Sequence, residues 1–335
     1  MAVRVAEYWK PLEGDKVKCL LCPRECTIPD GGQGFCLVRK NRGGELLTTI
    51  YGEITSAAYD PIEKKPLYHF FPGTVIFSVG TNGCNLDCKS CQNWQISRVD
   101  DPRARTEVSV RELALLAGKE SSIGIAYTYN DPIIWFEFVR DSAKEIKELG
   151  LKVVLVTNGN IAIEALRELL PFVDAFNVDL KGMDRDYYLK FASFPSPNVW
   201  QVCEEIKKAG KHLELTKLIV PGFDQFTPEY FEKFATWIAL NLGRETPVHY
   251  SRFFPAYKLL NTPPTPVDVL NLAYDVSKEY LYYVYVGNVV EPERESTYCP
   301  ECGELLVLRV GYKTKIFFTP DGRCPNCGRR VDFVF

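Results

Sequence analysis

Along the middle of the chain, short apolar and β-branched runs alternate with stretches in which apolar positions recur every three or four residues. The runs are TVIFSVG (74–80), IGIAYTY (123–129), KVVLVTN (152–158), VDAFNVDL (173–180), HLELTKLIV (212–220), PVHYSRFF (247–254) and YYVYVGNV (282–289). Their length and composition suit strands. Helical periodicity spans 109–120, 132–149, 161–170, 198–210, 227–242 and 266–281. Leu113, Leu116 and Ala117 fall on one helical face, as do Phe138, Ala143 and Ile146. Asp131-Pro132 and Thr227-Pro228 read as helix starts, Gly150 and Gly210 as stops.

Such alternation predicts an α/β fold with a parallel sheet, either open and doubly wound or closed into a full or partial (β/α) barrel. Both architectures place their chemistry at the carboxyl ends of the strands. Polar clusters stand there: Asn130-Asp131 after the second run, Thr157-Asn158-Gly159 after the third, Asp179 and Lys181 after the fourth. Any one of them reads as an ordinary turn; three in register read as a site.

The flanks have a different texture. Residues 1–50 and 291–335 are polar, rich in Gly and Cys and poor in periodic apolar runs. Pieces this short bury too little apolar surface to order themselves, so metal staples are expected. The division predicted is a Cys-rich metal-binding lobe at 1–50, a core at 51–290 and a metal-binding segment at 291–335.

Composition narrows the class. The hydrophobic fraction of 46% and the charged fraction of 25% are those of a soluble globular protein. No run approaches the roughly 18–20 apolar residues a membrane span needs, and the first residues lack an apolar signal core. A cytoplasmic protein without a membrane partner is expected. The net charge of −3 gives no attraction to polyphosphate, so nucleic acid is not an expected partner. Only 2 Met and interleaved charges agree with a hot or anaerobic habitat.

The unusual count is 12 cysteines, and eleven of them are grouped. With no secretory signal, C-x-x-C spacings point to metals rather than disulfides. Cys84, Cys88 and Cys91 follow the first strand at spacing C-x3-C-x2-C, and Gly80 and Gly83 let a loop wrap closely round a cluster. Structural zinc wants four protein ligands. Three thiolates suit a [4Fe–4S] cube with one iron open to an outside molecule, which argues catalysis. The alternative is an incomplete zinc site completed elsewhere.

These residues resemble the radical S-adenosylmethionine (SAM) superfamily over roughly 70–290. The resemblance implies that the cube chelates SAM through its amino and carboxylate groups, and that one electron cleaves SAM to a 5′-deoxyadenosyl radical. Tyr129-Asn130-Asp131-Pro132 stands where that family holds the SAM amino group, Thr157-Asn158-Gly159 matches its T-N-G, and Asp179-Leu180-Lys181 resembles the D-L-K of glycyl-radical-enzyme activases. The C-x2-C-P-R-x-C opening, the Cys91-Gln92-Asn93-Trp94 tail, T-Y-N-D-P at 128–132 and H-x-S-R-F-x-P within 248–255 resemble the AmmeMemoRadiSam system radical SAM enzyme. The resemblance implies a one-electron donor such as a ferredoxin or flavodoxin. Departures are Ser90 in place of an aromatic, Asp131 in place of Glu, and Phe254-Pro255-Ala256-Tyr257 in place of the activase L-P-x-H. They count against a glycyl-radical substrate.

Asn130, Asp131, Asn158, Asp179, Lys181 and His249 are the candidate cofactor-binding residues. Asp179 and Lys181 also read as a plain salt bridge, and His249 as a hydrogen-bonded residue inside the sheet. Cys299, Cys302, Cys324 and Cys327 form two C-P-x-C-G knuckles flanking a hairpin, a zinc-ribbon pattern expected to act as a stapled lid or docking surface. Its six Lys/Arg against four Asp/Glu do not argue for nucleic acid. Cys19, Cys22, Cys26 and Cys36 suit zinc or an auxiliary [4Fe–4S] cluster. Lone Cys203 reads as a packed helical residue. Three functions follow: a SAM-cleaving enzyme acting on an unidentified substrate, a glycyl-radical-enzyme activase acting on a protein, or a non-catalytic metal-stapled scaffold. The three-ligand set argues against the last.

Overall fold

The structure, a computed structural model, describes residues 3–99 and 105–335. Its centre is an eight-stranded sheet: β1 (Ser56–Pro61), β2 (Val75–Gly80), β3 (Ser122–Tyr127), β4 (Lys152–Thr157), β5 (Ala175–Asp179), β6 (His212–Ile219), β7 (Val248–Arg252) and β8 (Val284–Gly287). The strands lie side by side in chain order. β2 to β8 are mutually parallel, and β1 pairs antiparallel with β2 at the edge. All seven predicted strands are present; the antiparallel edge was not foreseen, because β1 is half-buried and lacks a clear period.

Helices α1 (Val110–Ala117), α2 (Phe136–Glu148), α3 (Ile163–Leu169), α4 (Arg185–Ala192), α5 (Val199–Lys208), α6 (Pro228–Asn241) and α7 (Val267–Lys278) connect the parallel strands. Local capping starts several of them. Ser109 and Glu112 form a capping box at α1, and Thr227 caps α6 ahead of a first-turn proline. Helix α4 was not anticipated. Its Asp184 accepts the N–H of Tyr187 as a cap, and its buried face is mainly aromatic rather than aliphatic.

A parallel sheet is buried on both faces. Phe77, Ile125, Leu155, Phe176 and Leu215 pack towards the helices. On the other face Ile76, Ala126, Val154 and Ala175 meet Ile62, Leu67 and Phe70 from the β1–β2 connection. That connection closes the amino ends of the strands. The backbone N–H groups of Tyr68 and His69 donate to the two carboxylate oxygens of fully buried Glu214 at 3.0 and 2.7 Å.

The N-terminal lobe consists of two three-stranded antiparallel sheets, and its Val17, Leu21 and Val38 share one core with the helical side of the large sheet. Buried Arg39 pairs with Glu137 of α2. The C-terminal hairpin, Leu305–Val310 and Lys313–Ile316, docks at the amino ends of the strands. There Arg309 donates to Tyr68 O at 2.7 Å, Tyr283 donates to Asp332, and Phe333 stacks on His69. The ribbon therefore cannot be a lid over the carboxyl ends, which corrects one expectation: its hydrophobic and polar partners lie at the opposite end of the sheet. Cys203 is fully buried in α5, as a packed residue would be. Among the described residues, no helix is long and apolar enough to cross a membrane.

Candidate active site

Cys84, Cys88 and Cys91 sit on the loop that leaves β2, at the carboxyl end of the sheet, and all three are half-buried. Burial pushes the Cys88 thiol up to about 12 and raises Cys84 and Cys91 as well. Thiols in such surroundings stay protonated until a metal ion takes the proton's place. Donors already face the first sulfur: the N–H of Leu86 lies 3.4 Å from the Cys84 sulfur and the Asn158 amide 3.9 Å away. The set fits a soft iron–sulfur group held by thiolates with hydrogen bonds to sulfur. The thiols also fail to gather closely enough for one ion. Among the described residues, the single group of three or more His, Cys, Asp or Glu ligand atoms within 4.8 Å of one another is Cys299, Cys302, Cys324 and Cys327.

The turns after β3 and β4 brace this loop. Asn130 accepts the Thr81 N–H at 3.1 Å and donates to Gly83 O at 2.8 Å, tying both ends of the segment before Cys84. Asp131 is buried, and its carboxylate accepts from Ile133 N (3.0 Å), Thr157 Oγ1 (3.1 Å) and Asn158 N (2.7 Å). Burial raises its pKa to about 6 against those hydrogen bonds. Asp131 thus acts first on its neighbours, capping the turn Pro132–Trp135 and orienting Asn158. Asn158 in turn donates to Asn85 Oδ1 at 2.8 Å, and Asn85 donates to Asn160 O at 2.8 Å. This amide chain lies directly beside the first cysteine.

Asp179 and Lys181 form an ion pair of 3.0 Å at the end of β5. Burial alone would lower the Lys181 pKa; Asp179 and the nearby Cys88 sulfur outweigh it and raise it. His249 does not join the group. It lies three residues short of the carboxyl end of β7, with Nε2 2.7 Å from Glu214 and its ring stacked on Tyr285. The buried carboxylate draws it inward, as the reading of a hydrogen-bonded sheet residue expects.

Further residues brace the loop, and Arg98 among them carried no sequence signal. Arg98 donates to the carbonyls of Phe35, Cys84 and Leu86 at 3.2–3.3 Å. Asn93 donates to Tyr129 O at 2.7 Å, and Trp94 stacks on Tyr257 at 5.5 Å. The last two explain the Asn93-Trp94 tail and the Phe254–Tyr257 segment, since each buttresses the cluster loop from a different strand end. Only the motif containing Asn93 and Trp94 could have hinted at them. At the far end of the molecule, the ribbon thiols pair at 3.6 Å, Cys299 with Cys327 and Cys302 with Cys324.

The profile of the Radical SAM superfamily matches residues 78–238, which take in the three thiols and the turns after β3, β4 and β5. The chain belongs to the radical SAM superfamily. An uncharacterized protein, MJ0808, of Methanocaldococcus jannaschii is 41% identical over 99% of this chain and 100% of its own length. Among solved structures, a domain of pyruvate-formate lyase-activating enzyme from Bacteroides vulgatus covers 49% of this chain and 99% of its own (16% identity, TM-score 0.43). Streptococcus suis SuiB bound to the precursor peptide SuiA covers 69% of this chain and 52% of its own (12% identity, TM-score 0.49). As a radical SAM enzyme, the chain works with SAM and an iron–sulfur cluster, and the non-catalytic scaffold is set aside.

Proposed function

We propose that Cys84, Cys88 and Cys91 hold a [4Fe–4S] cluster that cleaves SAM reductively, and that the resulting radical takes hydrogen from a substrate entering at the same strand ends. The observation carrying this reading is the convergence on one loop of three half-buried thiols and the turns after β3 and β4. The cluster, when bound, supplies the electron for the cleavage. The chain's own residues do the placing. Asn130 fixes the loop, Asp131 orients Asn158, and Lys181 offers a cation to a carboxylate while Asp179 offers an acceptor to an amino or hydroxyl group. Leu86 N–H and the Asn158 amide stabilise thiolate at Cys84.

The chain-order succession of the strands, with helices connecting the parallel ones, supports reading the sheet as a partial (β/α) barrel. For the ribbon we propose zinc: bonds of about 2.3 Å in a tetrahedron set the sulfurs about 3.8 Å apart, near the spacing seen. The electron donor fits a ferredoxin or flavodoxin.

The test replaces Cys84, Cys88 and Cys91 together by Ala and follows 5′-deoxyadenosine formation anaerobically with a chemical reductant. The unmutated chain should form it and the variant should not. A variant that still cleaves SAM would overturn the assignment.

A further inference from the structure

The two outer cysteine groups have the same number of thiols and opposite placements. The ribbon's four sit at the amino ends of the strands and close to tetrahedral spacing. Cys19, Cys22, Cys26 and Cys36 sit in the lobe beside the cluster loop and do not gather within 4.8 Å. They line one small cavity of about 20 Å³ together with Arg24 and Arg39. A zinc ion would hold four sulfurs about 3.8 Å apart, as the ribbon nearly does. Four thiols set farther apart than a single ion needs suit a larger inorganic core.

A second observation points to an occupant of the same cavity. Arg39 is 1% exposed, and its Nε has no hydrogen-bond partner, although its other nitrogens engage Glu7 O and Glu137. Orphaned buried donors are rare, and one beside a set of thiols calls for an acceptor there. Bridging and ligand sulfurs of an iron–sulfur cluster accept such bonds.

A third concerns distance. The backbone bearing Cys36 touches the backbone bearing Cys84. A methyl group on Gly83 would meet Cys36 O at 2.5 Å and the Val38 side chain at 2.9 Å, and φ at Gly83 is +95°. Only glycine admits this approach. Arg98 spans the same junction, donating to Phe35 O and Cys84 O, and Arg24 lies over the Phe35 ring at 3.6 Å while donating to Asn85 O. The residue next to a ligand on one side is therefore in contact with a ligand on the other.

We infer that Cys19, Cys22, Cys26 and Cys36 hold a second [4Fe–4S] cluster, and that it relays electrons to the catalytic one across the Cys36–Gly83 contact. The relay rests on the radical SAM reading; the lobe cluster itself does not. One electron passes from a one-electron donor protein of the ferredoxin or flavodoxin class to the lobe cluster, reducing it. The same electron then moves to the catalytic cluster, and the lobe cluster returns to its oxidised state with no bond made or broken.

The experiment uses the full chain, purified anaerobically and reconstituted with iron and sulfide. The unmutated protein should hold about eight irons and one zinc, as two cubes and one ribbon require. About four irons and two zincs would overturn the cluster. The Cys22→Ala/Cys26→Ala variant should drop to about four irons and keep its zinc. The Cys84, Cys88 and Cys91 triple variant, whose lobe is untouched, should also keep about four; a triple variant without iron would overturn the lobe cluster even if the lobe variant misfolds. For the relay, 5′-deoxyadenosine formation is compared with reduced ferredoxin and with titanium(III) citrate. In the Cys22→Ala/Cys26→Ala protein the ratio of the two rates should fall at least about tenfold; an unchanged ratio would overturn the relay. Failure of the radical SAM reading would look different: the unmutated chain would form no 5′-deoxyadenosine with either reductant.

Discussion

The carboxylate of Asp131 accepts the backbone N–H of Asn158 at 2.7 Å, joining the turn after β3 to the turn after β4. Both residues are buried, and Asn158 reaches on to Asn85 and the Cys84 sulfur. The charge of Asp131 thus acts on the site through geometry.

Asp131→Asn should disturb that geometry. An amide offers one acceptor oxygen where a carboxylate offers two, so its NH2 group must face a donor such as Ile133 N or Asn158 N. A buried donor left without an acceptor costs about 1–3 kcal/mol. Displacement of Asn158 should lower the rate of 5′-deoxyadenosine formation about tenfold or more. Kinetics and thermal melting of the variant check both; an unchanged rate would make Asp131 a fold residue only.

Lys181→Ala tests the ion pair at the end of β5. Asp179 is more than a third exposed, so the pair itself contributes no more than about 1 kcal/mol to the fold. A charge-assisted contact to the SAM carboxylate would contribute about 1.5–3 kcal/mol. SAM binding should therefore weaken about ten- to hundredfold while the melting temperature moves little, as calorimetry and melting curves would show. A large melting shift with unchanged SAM affinity would assign the pair to the fold.

Cys302→Ser/Cys327→Ser should remove the zinc proposed for the ribbon. Both thiols are exposed, and with zinc bound much of the hairpin's folding free energy would be metal-binding free energy. The loss of about one zinc should lower the melting temperature by loosening the contacts of Arg309 and Phe333 with Tyr68 and His69. SAM affinity should stay within about twofold, because the ribbon lies at the opposite end of the strands. A loss of SAM affinity with the cluster intact would contradict that separation.

Acid should weaken the same interface through His69. Burial lowers its pKa from the ordinary 6.5 to about 3, outweighing the pull of Glu214 and the bond to Asp332 O. The folded state keeps the ring neutral while the unfolded chain takes up a proton below pH 6.5. Stability from this residue is therefore full above that pH and is lost as pH falls towards 3. Between pH 7 and 5 the loss is about 2 kcal/mol. Urea denaturation of wild type and His69→Gln at both pH values checks it: the substitution should flatten the difference. An equally steep acid loss in the variant would refute the assignment.

The sequence by itself determined the α/β class, seven of the eight central strands and the three cysteine groups. Those features are local: a strand's composition, a cap at Thr227 or Ser109, or a C-x-x-C spacing is written in consecutive residues. Asn130, Asp131 and Asn158 lie beside the loop of Cys84 because parallel strands bring every post-strand turn to one end of the sheet. Tertiary structure decided the rest. Helix α4 was hidden by an aromatic buried face, and His249 was drawn to Glu214, thirty-five residues away in the chain, by a buried carboxylate that needed donors. The ribbon's place at the amino ends, and the contact of Cys36 with Gly83, depend on packing between segments far apart in sequence, which no local periodicity encodes.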